Sequence, residues 1–223
     1  MPVELDFLDK IPYFAGLGTA ELDVIGKLIV EKAVEKGEML FFEEESVEDL
    51  YFVVSGAVKA FKTSAEGKEQ ILCILRPGDS FNDVPAFDGG PSPVSVQAMT
   101  QVVLYLVSKN DLMAITRNYP AIAFNVIQVL AQRVRHMVSL VEDLSFRHVI
   151  GRVAKILLEN AGDGAGPRPK LTQQEMAAIA GTAREVVGRS LKTLEEEGAI
   201  KLDRHRIVIS DKKALENMVG ASF

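Results

Sequence analysis

The 223-residue chain has one cysteine, Cys73, and three histidines, His136, His148 and His205. A single thiol excludes an internal disulfide, and it excludes an iron–sulfur cluster or zinc site built on several thiolates of one chain. No apolar run approaches the roughly 20 residues that a membrane-spanning helix needs. The opening stretch MPVELDFLDK is acidic early and lacks the basic region of a secretory signal, so the expectation is a cytoplasmic protein. Positive charge is also short: the net charge is -6. The deficit is uneven. From Arg147 onward there are 13 Lys+Arg against 10 Asp+Glu, a balance of +3, which leaves -9 for the residues before it. An acidic front and a mildly basic rear suit a sensing domain joined to a nucleic-acid-binding one.

The most informative stretch is LTQQEMAAIAGTAREVVGRSLKTLEEEGAI, Leu171 to Ile200. Thr172 with Glu175 forms a capping-box signature at a helix entrance. Ala177, Ile179 and Ala180 give that helix a small apolar face, and Gly181 permits a sharp turn with positive φ. Thr182, with Glu185 three residues on, predicts the cap of a second helix, whose buried side is Val187, Leu191 and Leu194. Two short helices about a glycine turn make a helix-turn-helix. The second helix exposes Arg184, Glu185 and Arg189, residue types that read guanine and cytosine edges in the major groove. Two plainer roles compete at this point: Glu185 completing a capping box, and Glu185 with Arg189 forming an exposed ion pair. Ile200–Leu202, a turn at Asp203-Arg204-His205 and Arg206–Ile209 read as a two-stranded wing. Its Arg204 and Arg206 are candidates for phosphate contact, together with Thr172 and Gln174 at the entrance of the first helix.

The rest of the chain falls into three further parts. Asp6 to Val34 reads as a helical lead-in, with one amphipathic helix over Thr19, Leu22, Ile25, Leu28 and Ile29. Val34 to Ser108 alternates short β-rich runs with glycine corners, which predicts a compact antiparallel roll able to enclose a ligand. No histidine lies in this region, so a metal-dependent jelly-roll enzyme is disfavoured and no metal site is assigned. After a short helix over Asp111–Asn118, halted before Pro120, a long helix begins. Ala123, Ile127, Leu130, Val134, Met137, Val141, Leu144 and His148 step alternately by four and three residues, the seam of a coiled coil. Val126, Val129, Val138 and Leu140 widen the stripe, so one side can meet a partner helix and another the roll. The expectation is a parallel homodimer on a palindromic site. Ile150 to Ala161 is a further amphipathic helix, followed by a Gly/Pro loop to Lys170. The domain limits read from the sequence are 1–119 for lead-in and roll, 120–146 for the dimer helix and 147–223 for the winged helix-turn-helix. The fold class is α+β.

With these motifs in this order, and with LYFVVSGAVKAF and RPGDSF in the roll, the chain resembles the Crp/Fnr superfamily of bacterial transcription regulators along nearly its whole length. The resemblance implies a DNA-binding regulator, activator or repressor, that works with RNA polymerase and is not an enzyme. It implies that Arg184 and Arg189 face guanines and Glu185 a cytosine of a TGTGA-like half-site. Ala183 and Val186 lack the hydroxyls that relatives place on phosphates. In the sensing half the family's cyclic-nucleotide residues are replaced. Asn82-Asp83 stands for the ribose-binding Gly-Glu, Ser92-Pro93 for the phosphate-binding Arg-Ser, and Met137-Val138 for the hydroxyl pair on the dimer helix. No arginine lies between Pro77 and Gln101. Tight cyclic-AMP binding is therefore not expected, and Asn82, Asp83, Met137 and Val138 mark the place where another effector would sit. The effector and any cofactor are left unnamed. A haem-based redox or gas sensor using His136 or Met137, and a constitutive regulator with no ligand, are the alternatives. Cys73, in the strand-like QILCIL, is read as an inert buried thiol ahead of a redox switch. FNDVPAFDGGPSP either shapes a pocket or forms a rigid loop against the dimer helix.

Overall fold

The computed structural model describes residues 3–160, 170–203 and 206–220. The chain divides into two compact units. The first holds the residues up to Lys62 together with Leu72–His136, and the second holds Thr63–Ile71 together with Met137 onward.

The first unit begins with helix α1 (Leu5–Leu8), a 3-10 turn over Pro12–Phe14 and helix α2 (Thr19–Gly26). Two four-stranded sheets follow. Their strands are β1 (Val30–Val34), β2 (Met39–Phe41), β3 (Leu50–Ser55), β4 (Val58–Thr63), β5 (Glu69–Leu75), β6 (Ser80–Phe81), β7 (Ser95–Ala98) and β8 (Val102–Val107). The spatial orders are β1-β8-β3-β6 and β2-β7-β4-β5, and the residue registers are antiparallel. This is the expected roll. It starts earlier than expected, because Val30–Val34 pairs with Val102–Leu106 and is a strand, not the end of a helix. Its first four residues are exposed, Glu31 and Lys32 among them. A polar edge strand carries little of the apolar signal that marks a buried one.

Strand β3 shows how the roll is filled. Successive strand residues point to opposite faces. Tyr51 and Val53 join a core with Phe41, Phe81, Val96 and Leu104, while Leu50 and Phe52 join a second core with Leu8, Ile11, Tyr13, Phe14, Ile25, Leu112 and Ile122. Tyr51 and Phe81 stack at 4.9 Å in the first core, and Tyr13 meets Phe52 edge-on at 5.3 Å in the second. The corner after β3 needs glycine. Gly56 has φ +82°, and a Cβ there would lie 2.3 Å from the carbonyl oxygen of Gln101.

Helix α3 (Asp83–Asp88) lies where a loop was expected, entered through Asn82 in the left-handed region. Helix α4 (Lys109–Asn118) is capped by Ser108, whose hydroxyl accepts from the backbone of Asp111, and ends before Pro120. Helix α5 spans Pro120–Phe146, with proline at its first position, where no intrahelical N–H is needed.

The second unit contains helices α6 (Val149–Asn160), α7 (Gln173–Ala180) and α8 (Arg184–Glu196), strands β9 (Ile200–Asp203) and β10 (Arg206–Ile209), and helix α9 (Lys212–Gly220). Val153, Ile156, Met176, Ala177, Val187, Leu191, Leu194 and Leu215 fill its core. Helix α9 has no counterpart in the sequence reading. Its amphipathic pattern is short, and Leu215 is its one fully buried side chain.

Candidate nucleic-acid interface

Helix α7 starts as expected. Thr172 Oγ1 accepts from the backbone of Glu175 at 3.1 Å, and the Glu175 carboxylate accepts from the backbone N–H of Thr172 at 2.6 Å and from its hydroxyl at 2.8 Å. The Thr172 hydroxyl is thereby committed to the capping box. Gln174 is exposed at the second position of the helix. Gly181 ends α7 with φ +64°.

Helix α8 starts differently. Its cap is Ala183, not Thr182, and no side chain caps it. The backbone N–H of Thr182 still belongs to the end of α7, bonded to the carbonyl of Ala177 at 3.0 Å. That places the helix entrance one residue later and leaves Glu185 outside any capping box. Arg184, Glu185 and Arg189 are all exposed, and none of their side chains makes a hydrogen bond or ion pair among the described residues. Both plainer roles for Glu185 are absent there.

At about 100° per residue, Arg184, Glu185 and Arg189 share an arc of about 140° on α8. The opposite arc carries Val187 at 0%, Leu191 at 1% and Leu194 at 0% exposure. Burial of those three fixes which face is left outward. Gly188 lies inside the outward arc and adds no side chain, so the guanidinium groups and the carboxylate stand clear of the helix surface. Fork-shaped cations beside an acceptor, all unpaired and at the amino-terminal end of a helix, suit hydrogen bonding to base edges in a groove wide enough to admit a helix.

The wing forms as β9 and β10, with Arg206 opposite Asp203 and Ile209 opposite Ile200. Arg206 is exposed at its start. Arg204 lies outside the described residues.

The chain belongs to the Crp/Fnr family. A cyclic nucleotide-binding domain family matches residues 31–119 and a Crp-like helix-turn-helix family matches residues 151–218. The cyclic AMP receptor protein of Thermus thermophilus is 32% identical over 207 residues, covering 93% of this chain and 96% of that protein. The CRP-like cAMP-activated global transcriptional regulator of Mycobacterium tuberculosis is 30% identical over 217 residues, covering 94% and 97%. FixK2 from Bradyrhizobium japonicum superposes with a TM-score of 0.76 at 26% identity, covering 87% of this chain and 99% of that one. This Crp/Fnr protein is a DNA-binding transcription regulator, not an enzyme. No described helix is long and apolar enough to cross a membrane, and no group of three His, Cys, Asp or Glu among the described residues is placed to hold a metal.

The residues marked for an effector are already engaged in part. Asn82 donates to the carbonyls of Val47 at 2.7 Å and Asp49 at 2.8 Å. Asp83 is 1% exposed. Its carboxylate takes the hydroxyls of Tyr13 and, at 2.9 Å, Ser80, and it forms an ion pair with Arg133 of α5. Arg133 also donates to the Ser80 hydroxyl at 2.8 Å. FNDVPAFDGGPSP therefore touches the long helix, one of its two expected roles. The cation for Asp83 lies fifty residues downstream, and no local motif announces it. Met137 and Val138 lie in the second unit, with Val138 64% exposed.

Along α5 the expected seam divides. Ile122 and Val126 are buried in the first unit's core, and Val129 and Leu130 pack against it. Leu130 thus packs partly toward the roll. Ala123 is half-buried. Ile127, Val134, Val138 and Val141 are each 62–64% exposed, with Met137 and Leu144 at 36% and 37%.

Proposed function

We propose that this regulator binds DNA as a homodimer on a palindromic site with TGTGA-like half-sites, and that its roll responds to an effector other than cyclic AMP. The observation that carries the reading is the set Arg184, Glu185 and Arg189, exposed together and unpaired among the described residues on a helix whose other face is buried. Arg184 and Arg189 read guanines, Glu185 reads a cytosine, and Gln174 and Arg206 lie on phosphates. The Thr172 hydroxyl serves the helix cap and contributes to phosphate binding through that cap. Arg204, outside the described residues, stays with the wing as a phosphate contact. RNA polymerase is the partner on promoter DNA.

Dimerisation is supported by the apolar residues of α5 that stay uncovered among the described residues. Ile127 with Val134, Val138 and Val141, all exposed on α5, is the kind of apolar stripe a second copy of the helix would bury. The effector reading is supported by the Asp83 site. Two relatives are named for cyclic AMP, but here the carboxylate at the ribose position is buried and saturated by Tyr13, Ser80 and Arg133. No arginine of the Pro77–Gln101 segment is available for a cyclic phosphate, and a desolvated phosphate without a cationic fork is costly.

Fluorescence anisotropy with a labelled TGTGA palindrome and a scrambled duplex tests the DNA reading; equal affinity for both defeats it. Calorimetric titration with cyclic AMP tests the effector reading, and micromolar or tighter binding would overturn it.

A further inference from the structure

An α-helix leaves its last carbonyls without intrahelical donors. At the end of α7 these belong to Ile179, Ala180 and Gly181, and each is met by a side chain from far along the chain. Gln70 Nε2 donates to the Ile179 carbonyl at 3.2 Å, Arg152 Nε to that of Ala180 at 2.8 Å, and Lys68 Nζ to that of Gly181 at 3.5 Å. Two of the three donors are cations, the sign favoured at the carboxyl end of a helix. Gln70 and Lys68 come from the segment Thr63–Ile71, which belongs to the second unit and is the tip of the β4–β5 hairpin, with Lys68 in the turn and Gln70 in the first residues of β5. The turn is also packed closely: a Cβ at Gly181 would lie 2.8 Å from Leu144 Cδ2 and 3.0 Å from Gln70 Oε1. Arg152 reaches in the other direction as well, donating to the carbonyls of Asp143 at 3.3 Å and Arg147 at 2.5 Å near the end of α5.

We propose that Lys68, Gln70 and Arg152 are positioning residues for DNA recognition, with the β4–β5 hairpin acting as a brace on the turn of the helix-turn-helix. Arg184 begins α8 three residues after Gly181. The three bonds fix the backbone from which that first turn departs, and so set the depth and angle at which Arg184, Glu185 and Arg189 meet base edges. The inference rests on α8 being the reading helix. It assigns a DNA-directed role to two hairpin residues that lie outside the helix-turn-helix match at 151–218. Lys68 is exposed and Gln70 half-buried, so neither is needed for the core of Val153, Val187, Leu191 and Leu194.

The test is anisotropy with the labelled palindrome and with a copy carrying one substituted guanine per half-site. It uses the full chain and three forms: wild type, the double variant Lys68→Ala with Gln70→Glu, and Lys68→Arg. Gln70→Glu keeps the side chain's size but turns an oxygen toward the Ile179 carbonyl. The double variant should bind the palindrome about three- to tenfold more weakly, the range expected when ordinary hydrogen bonds are lost. Its melting temperature should stay that of wild type, while its preference for the intact site over the guanine-substituted copy should fall; a uniform loss with unchanged preference would mean lost charge alone and overturns the brace. Lys68→Arg should retain wild-type affinity. Unchanged affinity in the double variant overturns the brace, and so does a loss that tracks a lowered melting temperature. A wild type with no preference for the palindrome overturns the reading-helix assignment and this inference with it. That outcome is seen in the wild-type arm alone.

Discussion

The guanidinium of Arg133 closes on the buried carboxylate of Asp83, fifty residues earlier in the chain. The two partners differ in their access to water. The Asp83 side chain is fully enclosed, whereas that of Arg133 keeps 35% of its surface. Removing each should therefore cost a different amount. Arg133→Ala strands a buried charge and should lower unfolding stability by about 3 kcal/mol. Asp83→Asn leaves an arginine that can turn to solvent and should cost about 1–2 kcal/mol. Urea unfolding of both variants checks this, and equal losses would contradict the asymmetry.

Burial pushes the Cys73 thiol up to about 11, and it pushes the Tyr51 phenol up to about 12. Tyr13 moves in the same direction through burial and its contact with Asp83. All three native-state values lie above the unfolded ones, so the native state holds these protons longer. The contributions of Cys73 and Tyr51 are complete below the unfolded values and are lost as pH rises through about 9 to 12, while that of Tyr13 persists to higher pH. At pH 8 the thiol should react with a disulfide reagent only in step with unfolding. Rapid stoichiometric labelling in native buffer would show a reactive cysteine instead.

Val138 and Val126 lie on the same helix but should respond oppositely to charge. Val138→Glu places a carboxylate on a residue already 64% exposed, so the fold should survive while the dimer dissociates. Val126→Glu buries the carboxylate at a site 5% exposed and should unfold the first unit. Sedimentation velocity with circular dichroism distinguishes these outcomes. A Val138→Glu protein that remains dimeric would place the interface elsewhere.

Arg184→Ala should lower specific affinity by about 1–3 kcal/mol and relax preference at one base. Arg206→Ala should weaken all sequences alike and reduce the slope of affinity against salt by about one. A systematic panel of single-base site variants, titrated at several salt concentrations, separates the two effects.

Gly181→Ala combines a left-handed φ with a Cβ pressed on Leu144. The cost should be about 2 kcal/mol, from backbone strain and overpacking together. Thermal unfolding checks it, and a neutral substitution would mean that α7 and Leu144 move apart freely.

Local chemistry determined much of this protein from the sequence alone. The Thr172–Glu175 box, the turn at Gly181 and the apolar spacing of Val187, Leu191 and Leu194 each act within a few residues. They could be read before any fold was known, as could the strands with two buried faces. Features that depend on a neighbour's shape were less legible. The polar strand Val30–Val34 became a strand by pairing with β8, and the entrance of α8 moved to Ala183 because the Thr182 N–H was held by α7. Leu130 fits the seam by spacing, and only the fold shows that it also packs partly toward the roll. The partners of Asp83 and of the α7 carbonyls lie 28 to 113 residues away from them, apart from Ser80, and no periodicity carries that information. The sequence specified which residues can read DNA. Tertiary packing decided which polar groups are consumed inside the protein and which are left outward to do so.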